Sequence, residues 1–195
     1  MGDVLPTSLV TALDALQRSL DSAGIPMVVV GGVAASLLGR PRLTRDIDAL
    51  VDLPDERWVE LLAAAHRLGI EPRIDAPLEF AAHSRVLLLR HVPSQIDIDV
   101  ILGALPFERE AVAAGRTHSL GPIEVRLPRI EDLMIMKALA QRPRDLIDLE
   151  ALLDTHPEAD LETVRRWVRE FATAATLPEL LATFDTLVAR STAGR

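Results

Sequence analysis

The sequence predicts an α/β protein of the α+β type, an α/β core followed by a helical C-terminal region. An apolar, β-branched run at residues 28–30 stops at two glycines, which is typical of a buried strand that ends in a tight turn. Residues 95–102 alternate between apolar and polar side chains, the period of a half-buried strand. From Pro128 onward the apolar residues recur with a helical period. We therefore assign residues 1–127 to the α/β core with its N-terminal helix, and residues 128–195 to a helical region.

The remaining elements follow from periodicity and from turn residues. In chain order we expect a helix over 7–20, a strand over 28–30, a short helix over 33–38, a strand that carries Asp46 and Asp48, a helix over 54–68, strands over 85–90 and 95–102, a helix over 107–114, and two short strands around residue 118 and residues 123–125. The proline-rich stretch 70–80 shows no clear pattern. Beyond the core, the helical pattern breaks at Pro143 and Pro157 and runs to about residue 190.

The composition excludes several classes of protein. Apolar residues make up 49% of the chain, which indicates a globular protein. The sequence has no apolar run of about 18 residues and no basic segment followed by an apolar one at its start, so we expect a cytoplasmic protein without membrane contact. Without cysteine, disulfides and cysteine metal sites are excluded. The net charge of −8 argues against broad adhesion to nucleic acid, although arginines cluster at residues 40–45, 142–144 and 165–169.

Gly31 and Gly32 are the first candidate site residues. They would lie at the start of the short helix, where unpaired backbone N–H groups and the positive end of the helix dipole favour a phosphate. Any turn from strand to helix also accepts glycine, so the pair alone does not establish a phosphate site.

Asp46 and Asp48 form the second candidate group. On a strand they point to the same face, and two carboxylates about 7 Å apart at this spacing can converge on one hard cation. Asp97 and Asp99 repeat this spacing in an otherwise apolar strand, where aspartate is unfavourable. Exposure to water on an edge strand would explain either pair alone, but it explains two such pairs less well.

The arrangement of these groups resembles a known superfamily. Gly31-Gly32 is followed, after thirteen residues, by Asp46-Ile47-Asp48, which is similar to the signature of the nucleotidyltransferases that share the DNA polymerase β catalytic core. The finer pattern GGVAASLLGRPRLTRDID resembles the minimal nucleotidyltransferases and the AbiEii/MenT-like toxins of bacterial toxin–antitoxin systems. The resemblance covers about residues 26–153 and implies a nucleotidyltransferase-fold mixed sheet flanked by helices.

The resemblance also implies a third carboxylate from a neighbouring strand. Residues 99–102 and 106–108, DVIL and PFE, are most similar to the family pattern, which favours Asp99 over Asp97. Two Mg²⁺ ions would then activate an acceptor hydroxyl and stabilise the leaving pyrophosphate, and Asp99 would also accept the proton of that hydroxyl. The implied metal ligands are Asp46, Asp48 and Asp99.

Further candidates lie on either side of the core boundary. Arg42 and Thr44 would either bind the triphosphate or fix the Asp46 strand by hydrogen bonds. Lys137 occupies a position that the helical period assigns to the core, so it either snorkels or contacts a phosphate. Lys137, Asp145 and Asp148 belong to a segment similar to a second motif of the toxin-like subgroup, which favours a catalytic role for Lys137 and a supporting, nucleotide-binding role for the two acids. Acidic residues after Pro143 also suit the dipole of a helix that begins there.

These observations predict an enzyme that moves a nucleoside monophosphate from a triphosphate, ATP for example, to an acceptor hydroxyl. The expected acceptor is an RNA 3′ end, tRNA in particular, in a toxin–antitoxin setting with a cognate antitoxin or toxin protein as partner. Transfer to an aminoglycoside-type small molecule or to a protein is the alternative within enzymes. Outside enzymes, the alternative is an inactive nucleotide- or protein-binding module, which is less favoured because all three acidic positions are present.

Overall fold

Five strands form one mixed sheet within residues 5–193, the part of the chain that this computed structural model describes. The strands are β1 (Met27–Val30), β2 (Asp46–Val51), β3 (Ile70–Pro72), β4 (Val86–His91) and β5 (Ile96–Leu102). They lie in the order β1-β2-β5-β4-β3. The central neighbours β2 and β5 are parallel, and the other neighbours are antiparallel. The hairpin of β6 (Arg116–Leu120) and β7 (Ile123–Leu127) is separate from this sheet.

Helices connect the strands and continue beyond them. In chain order they are α1 (Thr7–Ser22), α2 (Gly31–Leu38), α3 (Trp58–His66), α4 (Pro77–Ser84), α5 (Pro106–Ala113), α6 (Ile130–Ala140), α7 (Pro143–Thr155), α8 (Leu161–Ala175) and α9 (Glu179–Ala193). A short 3₁₀ helix, Asp55–Arg57, precedes α3. Among the described residues, none of these helices is both long and apolar enough to cross a membrane.

The chain divides into two compact units. The first lies within Met1–Ser36 and Arg42–Pro128 and contains both sheets, whereas the second lies within Leu37–Pro41 and Arg129–Arg195 and is helical. The short segment 37–41 groups with the helical unit because its polar groups bond there. Arg40 forms an ion pair of 2.9 Å with Asp154 at the end of α7, and the Nε2 atom of His156 lies 2.6 Å from the carbonyl oxygen of residue 38.

One face of the large sheet is buried and the other is partly open. In β5, Ile98 and Val100 are fully buried, while Asp97 and Asp99 on the opposite face are partly exposed. This is the alternation that the sequence predicts for this strand. β1 is buried along its whole length, as its run of β-branched residues indicates, and α1 packs against α3 through apolar positions spaced three and four residues apart.

The helical unit has its own apolar core. α6 packs against α7 and α8, and α8 packs against α9, with Leu133, Leu152 and Phe184 completely buried. Asp160 begins α8 because its carboxylate accepts hydrogen bonds from the backbone N–H groups of Glu162 and Thr163. The breaks that the sequence predicts at Pro143 and Pro157 lie where α6 gives way to α7 and where α7 gives way to α8. The break between α8 and α9, where Thr176 adopts a left-handed conformation, was not predicted.

Three other local expectations differ from the structure. The short helix begins at Gly31 and not at residue 33, because the glycine with positive φ takes the first helical position directly after β1. The helix expected over 54–68 is a 3₁₀ turn followed by α3, which ends at His66. The unassigned stretch 70–80 contains β3 and the start of α4.

Candidate active site

Two parallel strands align four carboxylates on the open face of the large sheet. In the register of β2 and β5, Asp46 pairs with Asp97 and Asp48 pairs with Asp99. Because paired residues of adjacent strands project to the same face, the four side chains form two neighbouring rows. We call this group the carboxylate ladder. It contains the three predicted metal ligands. The spacing of two residues puts each pair on one face of its strand, and the register of β2 with β5 brings the two pairs together.

Gly31 is held directly against this ladder. Val30, the last residue of β1, pairs with Asp48, so the chain enters α2 beside that carboxylate. A Cβ atom on Gly31 would overlap Oδ2 of Asp48 and lie 2.5 Å from its Cγ, and the backbone φ of Gly31 is +60°. Both facts exclude any other residue here without strain. The start of α2 therefore lies next to a carboxylate of the ladder.

Gly32 is confined in the same way by the loop before β2. A Cβ atom on Gly32 would lie 2.6 Å from the hydroxyl of Thr44 and 3.2 Å from a guanidinium nitrogen of Arg42. Thr44 is buried, and its hydroxyl lies 3.3 Å from a carboxylate oxygen of Asp46. Of the two roles predicted for Thr44, the structure shows the hydrogen bond that fixes Asp46. Arg42, whose Nη1 donates to the carbonyl of Leu43 over 3.4 Å, lies beside the glycines at the start of α2.

Two arginines distinguish Asp97 from Asp99. Arg90, opposite Asp97 on β4, places its Nε 2.6 Å from that carboxylate, and Arg73 reaches Asp97 at 3.2 Å. The hydrogen bond from Arg90 is the largest influence on Asp97 and lowers its pKa; the charges of both arginines add to this, and burial opposes it. Asp97 is thus held as an ion-paired carboxylate.

Asp99 lies in a different electrostatic environment. Burial is the largest influence and raises the pKa of Asp99, the charges of Asp46 and Asp97 raise it further, and the ion pair with Arg73 offsets this only in part. Asp99 is thus a half-buried carboxylate beside two others, an environment that favours uptake of a proton more than that of Asp97 does. The geometry therefore supports Asp99, rather than Asp97, as the third carboxylate.

Arg73 is a site residue that the sequence did not reveal. It follows β3, and its backbone N–H donates to the carbonyl of Leu88 over 2.9 Å, which extends the pairing of β3 with β4 by one residue. This brings the guanidinium over the open face of the sheet to Asp97 and Asp99. The signal was hidden because Ile70–Pro72 is only three residues long and ends in proline, so no period identifies it as a strand.

The predicted residues of the helical unit form a buried ion cluster of their own. Lys137 on α6 has only 4% of its surface exposed, and its Nζ lies 2.9 Å from Asp145 Oδ1 and 2.8 Å from Asp148 Oδ2, both on α7. Arg142 also donates to Asp145. Burial is the largest influence on Asp145 and opposes ionisation, but the hydrogen bonds from Arg142 and Lys137 together hold its pKa below the usual range. In this structure, Lys137 and Arg142 together balance the charges of two buried acids, and the predicted contact of Lys137 with a phosphate stays a prediction.

The chemistry of the ladder fits a magnesium site. Its donors are carboxylate oxygens, the ligands that Mg²⁺ prefers, and Asp46, Asp48 and Asp99 share one face. Within residues 5–193, however, no three acidic or histidine side chains are already gathered as a metal-binding group. At the ladder, the guanidinium of Arg73 engages Asp99 and so supplies the positive charge there.

Several solved structures share the fold of this chain. The antibiotic-resistance factor ANT(2″)-Ia aligns with a TM-score of 0.61 at 18% identity, over 89% of this chain and 96% of that one. A nucleotidyltransferase-like protein from Paracoccidioides brasiliensis aligns at 0.53 and 18% identity, over 93% and 94%. The lincosamide antibiotic adenylyltransferase LnuA aligns at 0.52 and 14% identity, over 77% and 98%. At these identities the likeness shows the fold alone, which is that of the nucleotidyltransferases, as the sequence predicts.

The sequence itself then gives the family. Residues 14–193 match the family described as nucleotidyl transferase AbiEii toxin, type IV TA system, and the chain belongs to this family. Curated protein sequences give no match. The family and the fold together indicate that the chain is a nucleotidyltransferase. The resemblance to AbiEii toxins that the sequence predicted is confirmed.

Proposed function

We propose that this enzyme uses Mg²⁺ to transfer a nucleoside monophosphate from a nucleoside triphosphate, ATP for example, to the 3′-hydroxyl of an RNA, with tRNA as the favoured acceptor. The observation that supports it most directly is the pairing of Asp48 with Asp99 beside the start of α2 at Gly31. This arrangement combines acidic metal ligands with a backbone site for phosphate. The reaction would take place in the cytoplasm, where both substrates occur.

The residues of the ladder have distinct roles in this proposal. Asp46, Asp48 and Asp99 would hold magnesium, which supplies positive charge to the triphosphate and lowers the pKa of the acceptor hydroxyl. The N–H groups at Gly31 and Gly32 would bind phosphate oxygens, with Arg42 beside them. Thr44 keeps the carboxylate of Asp46 oriented.

The transfer itself is a displacement at the α-phosphorus. The acceptor oxygen forms a bond to this phosphorus, the bond to the β-phosphate bridging oxygen breaks, and pyrophosphate leaves. Asp99 would accept the proton of the acceptor hydroxyl, a role that suits its raised pKa and its half-buried position. Most of the catalysis would come from positioning and from charge, since no covalent intermediate is needed.

An RNA acceptor is favoured by the charge of the loop that leads into β2. Arg42 and Arg45 lie in this loop, and Arg45 is exposed immediately before Asp46. Arginines at the entrance to an acidic site can bind the phosphates of an incoming strand, which offsets the repulsion expected from a net charge of −8. Membership of a toxin family is consistent with an acceptor whose modification would stop growth.

The test is incubation with each α-labelled nucleoside triphosphate, Mg²⁺ and total tRNA. We expect label in tRNA from at least one nucleotide, and none from the Asp46→Ala/Asp48→Ala variant or in the presence of excess chelator. Intact, unlabelled tRNA with all four nucleotides would contradict the RNA acceptor.

A small cationic acceptor is the second candidate. The net charge of −8 favours it, and the aligned structures include one in complex with adenylyl-2″-tobramycin. The same labelled nucleotides, incubated with aminoglycosides and lincosamides in place of tRNA, would identify such an acceptor. Label that moves into these compounds but not into tRNA would replace the RNA proposal, and label that moves only into a protein would indicate transfer to a protein hydroxyl.

We also propose a protein partner, because the family is described as part of a toxin–antitoxin system. Its expected effect is to neutralise the toxicity of this enzyme. Growth arrest on expression of the wild-type chain, relieved by co-expression of the product of an adjacent gene and absent from the Asp46→Ala/Asp48→Ala variant, would support this. Unimpaired growth with the active enzyme would contradict it.

A further inference from the structure

Arg73 forms an ion pair with Asp99, the carboxylate that we assign as the third metal ligand. The pairing of β3 with β4 puts Arg73 opposite Leu88, and the pairing of β4 with β5 puts Leu88 opposite Asp99. The guanidinium therefore reaches across one strand, on the open face of the sheet, to the carboxylates of Asp99 and Asp97. About a quarter of the Arg73 side chain is exposed, so the contact is partly shielded from water.

The two ends of this bridge are not equivalent. Asp97 also has Arg90, with Nε at 2.6 Å, so its charge remains compensated if Arg73 leaves. Arg73 is the arginine that contacts Asp99. Its own Nε–H is buried and has no hydrogen-bond partner among residues 5–193. This is costly for a charged donor and makes this position of the guanidinium less favourable than a fully bonded one.

We propose that Arg73 competes with the divalent cation for Asp99, and that this competition sets the metal affinity of the enzyme. The inference rests on the proposed magnesium site. Arg73 holds Oδ1 of Asp99, and its positive charge would oppose a divalent cation that drew on the same carboxylate beside Asp48. Entry of the metal releases Arg73 from Asp99 while Arg90 keeps Asp97 neutralised, so the ladder changes from an arginine-held state to a metal-held state.

The experiment measures the binding of Mn²⁺ to the full chain without nucleotide, by the electron paramagnetic resonance signal of free Mn²⁺. Arg73→Gln removes the competitor, and we expect its Kd for Mn²⁺ to fall about tenfold, the effect of losing one charge-assisted hydrogen bond to a carboxylate. Arg90→Gln is the matched control, because it removes the same charge from the neighbouring Asp97; we expect less than about a threefold change. Arg73→Lys should give an intermediate Kd, because it retains the charge without the planar fork.

Equal tightening by Arg73→Gln and Arg90→Gln would indicate a general effect of charge and would overturn the inference. Unchanged or weaker binding in Arg73→Gln would overturn it as well. If Arg73→Gln does not fold, as shown by circular dichroism, Arg73→Met takes its place, since it keeps an aliphatic stem without the charge; an affinity equal to that of the wild type would then exclude competition. Nucleotide transfer is measured separately. If the wild type is active and all arginine variants bind Mn²⁺ with the same Kd, only the inference is contradicted. If Arg73→Gln binds Mn²⁺ more tightly but the enzyme transfers nucleotide to no acceptor, only the proposed function is contradicted.

Discussion

The α-carbon of Gly31 lies so close to Asp48 that a Cβ atom on it would overlap the carboxylate. This relationship joins the two parts of the sequence signature, which are separated by a helix and a loop along the chain. The glycine pair and the aspartate pair are therefore one structural feature, in which the start of α2 and the ladder are built against each other.

Gly31→Ala should remove activity by displacing Asp48. Both the positive φ and the overlap with the carboxylate act against the new side chain, and a displacement of about 1 Å in a catalytic group can cost about a hundredfold in rate. Gly24→Ala is the control, since Gly24 has the same φ of +60° with nothing within 4 Å of its Cβ position. Both variants should lose about 1–2 kcal/mol of unfolding free energy from the left-handed backbone. Equal rates of transfer in the two variants would show that the contact with Asp48 has no catalytic importance.

Asp99→Asn and Asp97→Asn should differ strongly in activity. Asp99 is paired with Asp48 in the register of β2 and β5, whereas Asp97 forms ion pairs with two arginines. We expect at least about a hundredfold loss of the transfer rate for Asp99→Asn and less than about tenfold for Asp97→Asn. The measurement is the initial rate at saturating nucleotide, with a thermal melt of each variant. A larger loss in Asp97→Asn than in Asp99→Asn would mean that the wrong carboxylate of β5 has been assigned.

The sequence could predict which aspartates share a face of each strand, because that part of the ladder depends only on local spacing. A period of two places Asp46 with Asp48, and Asp97 with Asp99, on one face of a strand whatever the surrounding fold. Which two strands are neighbours depends on sheet order, and here β5 lies beside β2 although β3 and β4 come between them in the chain. The resemblance to a family supplied that step, since no local pattern contains it.

Arg73 shows where local information ends. Its position depends on the register of a three-residue strand, which tertiary pairing determines and propensity does not. Lys137 shows a related limit. The helical period assigned Lys137 to a core position, and its side chain is buried there. The partners that permit this burial lie on the next helix, where the acids also fit a helix N-terminus. The role of such a side chain depends on what lies opposite it.

Thr44→Val should lower activity with little change in packing. Valine has nearly the same shape, but it cannot donate the 3.3 Å hydrogen bond to the carboxylate of Asp46. We expect the loss of this hydrogen bond to remove about 1 kcal/mol of the stabilisation that keeps the Asp46 carboxylate oriented, which corresponds to roughly a fivefold lower rate of transfer. Thr44→Ser keeps the hydroxyl and should retain most of the activity. If Val and Ser variants are equally active, Thr44 acts through packing against Gly32 and not through Asp46.

Lys137→Met should destabilise the protein because it leaves Asp145 and Asp148 buried without their lysine. Breaking one partner of a buried ion cluster typically costs about 3–5 kcal/mol, whereas replacing all of its charges costs much less. The triple variant Lys137→Met/Asp145→Asn/Asp148→Asn should therefore be more stable than the single variant in urea unfolding. Transfer activity in the triple variant gives a second readout. Recovery of activity together with stability indicates a structural role for Lys137, and stability without activity indicates that at least one of the three side chains acts on the substrate.

The same cluster should make stability sensitive to acid. The pKa of Asp145 is lower in the folded chain than its usual value, so its contribution is fully present above the unfolded pKa of about 4 and is lost as the pH falls through the lower, folded value. The unfolding free energy of the wild type should thus decline below about pH 4. In the triple variant neither Asp145 nor Asp148 can be protonated, so this decline should be shallower. The lowered pKa values of Asp97, Glu60 and Asp160 contribute to what remains. Urea titrations at several values between about pH 3 and 7 measure both slopes. Identical slopes would show that Asp145 has the same proton affinity in the folded and unfolded chains.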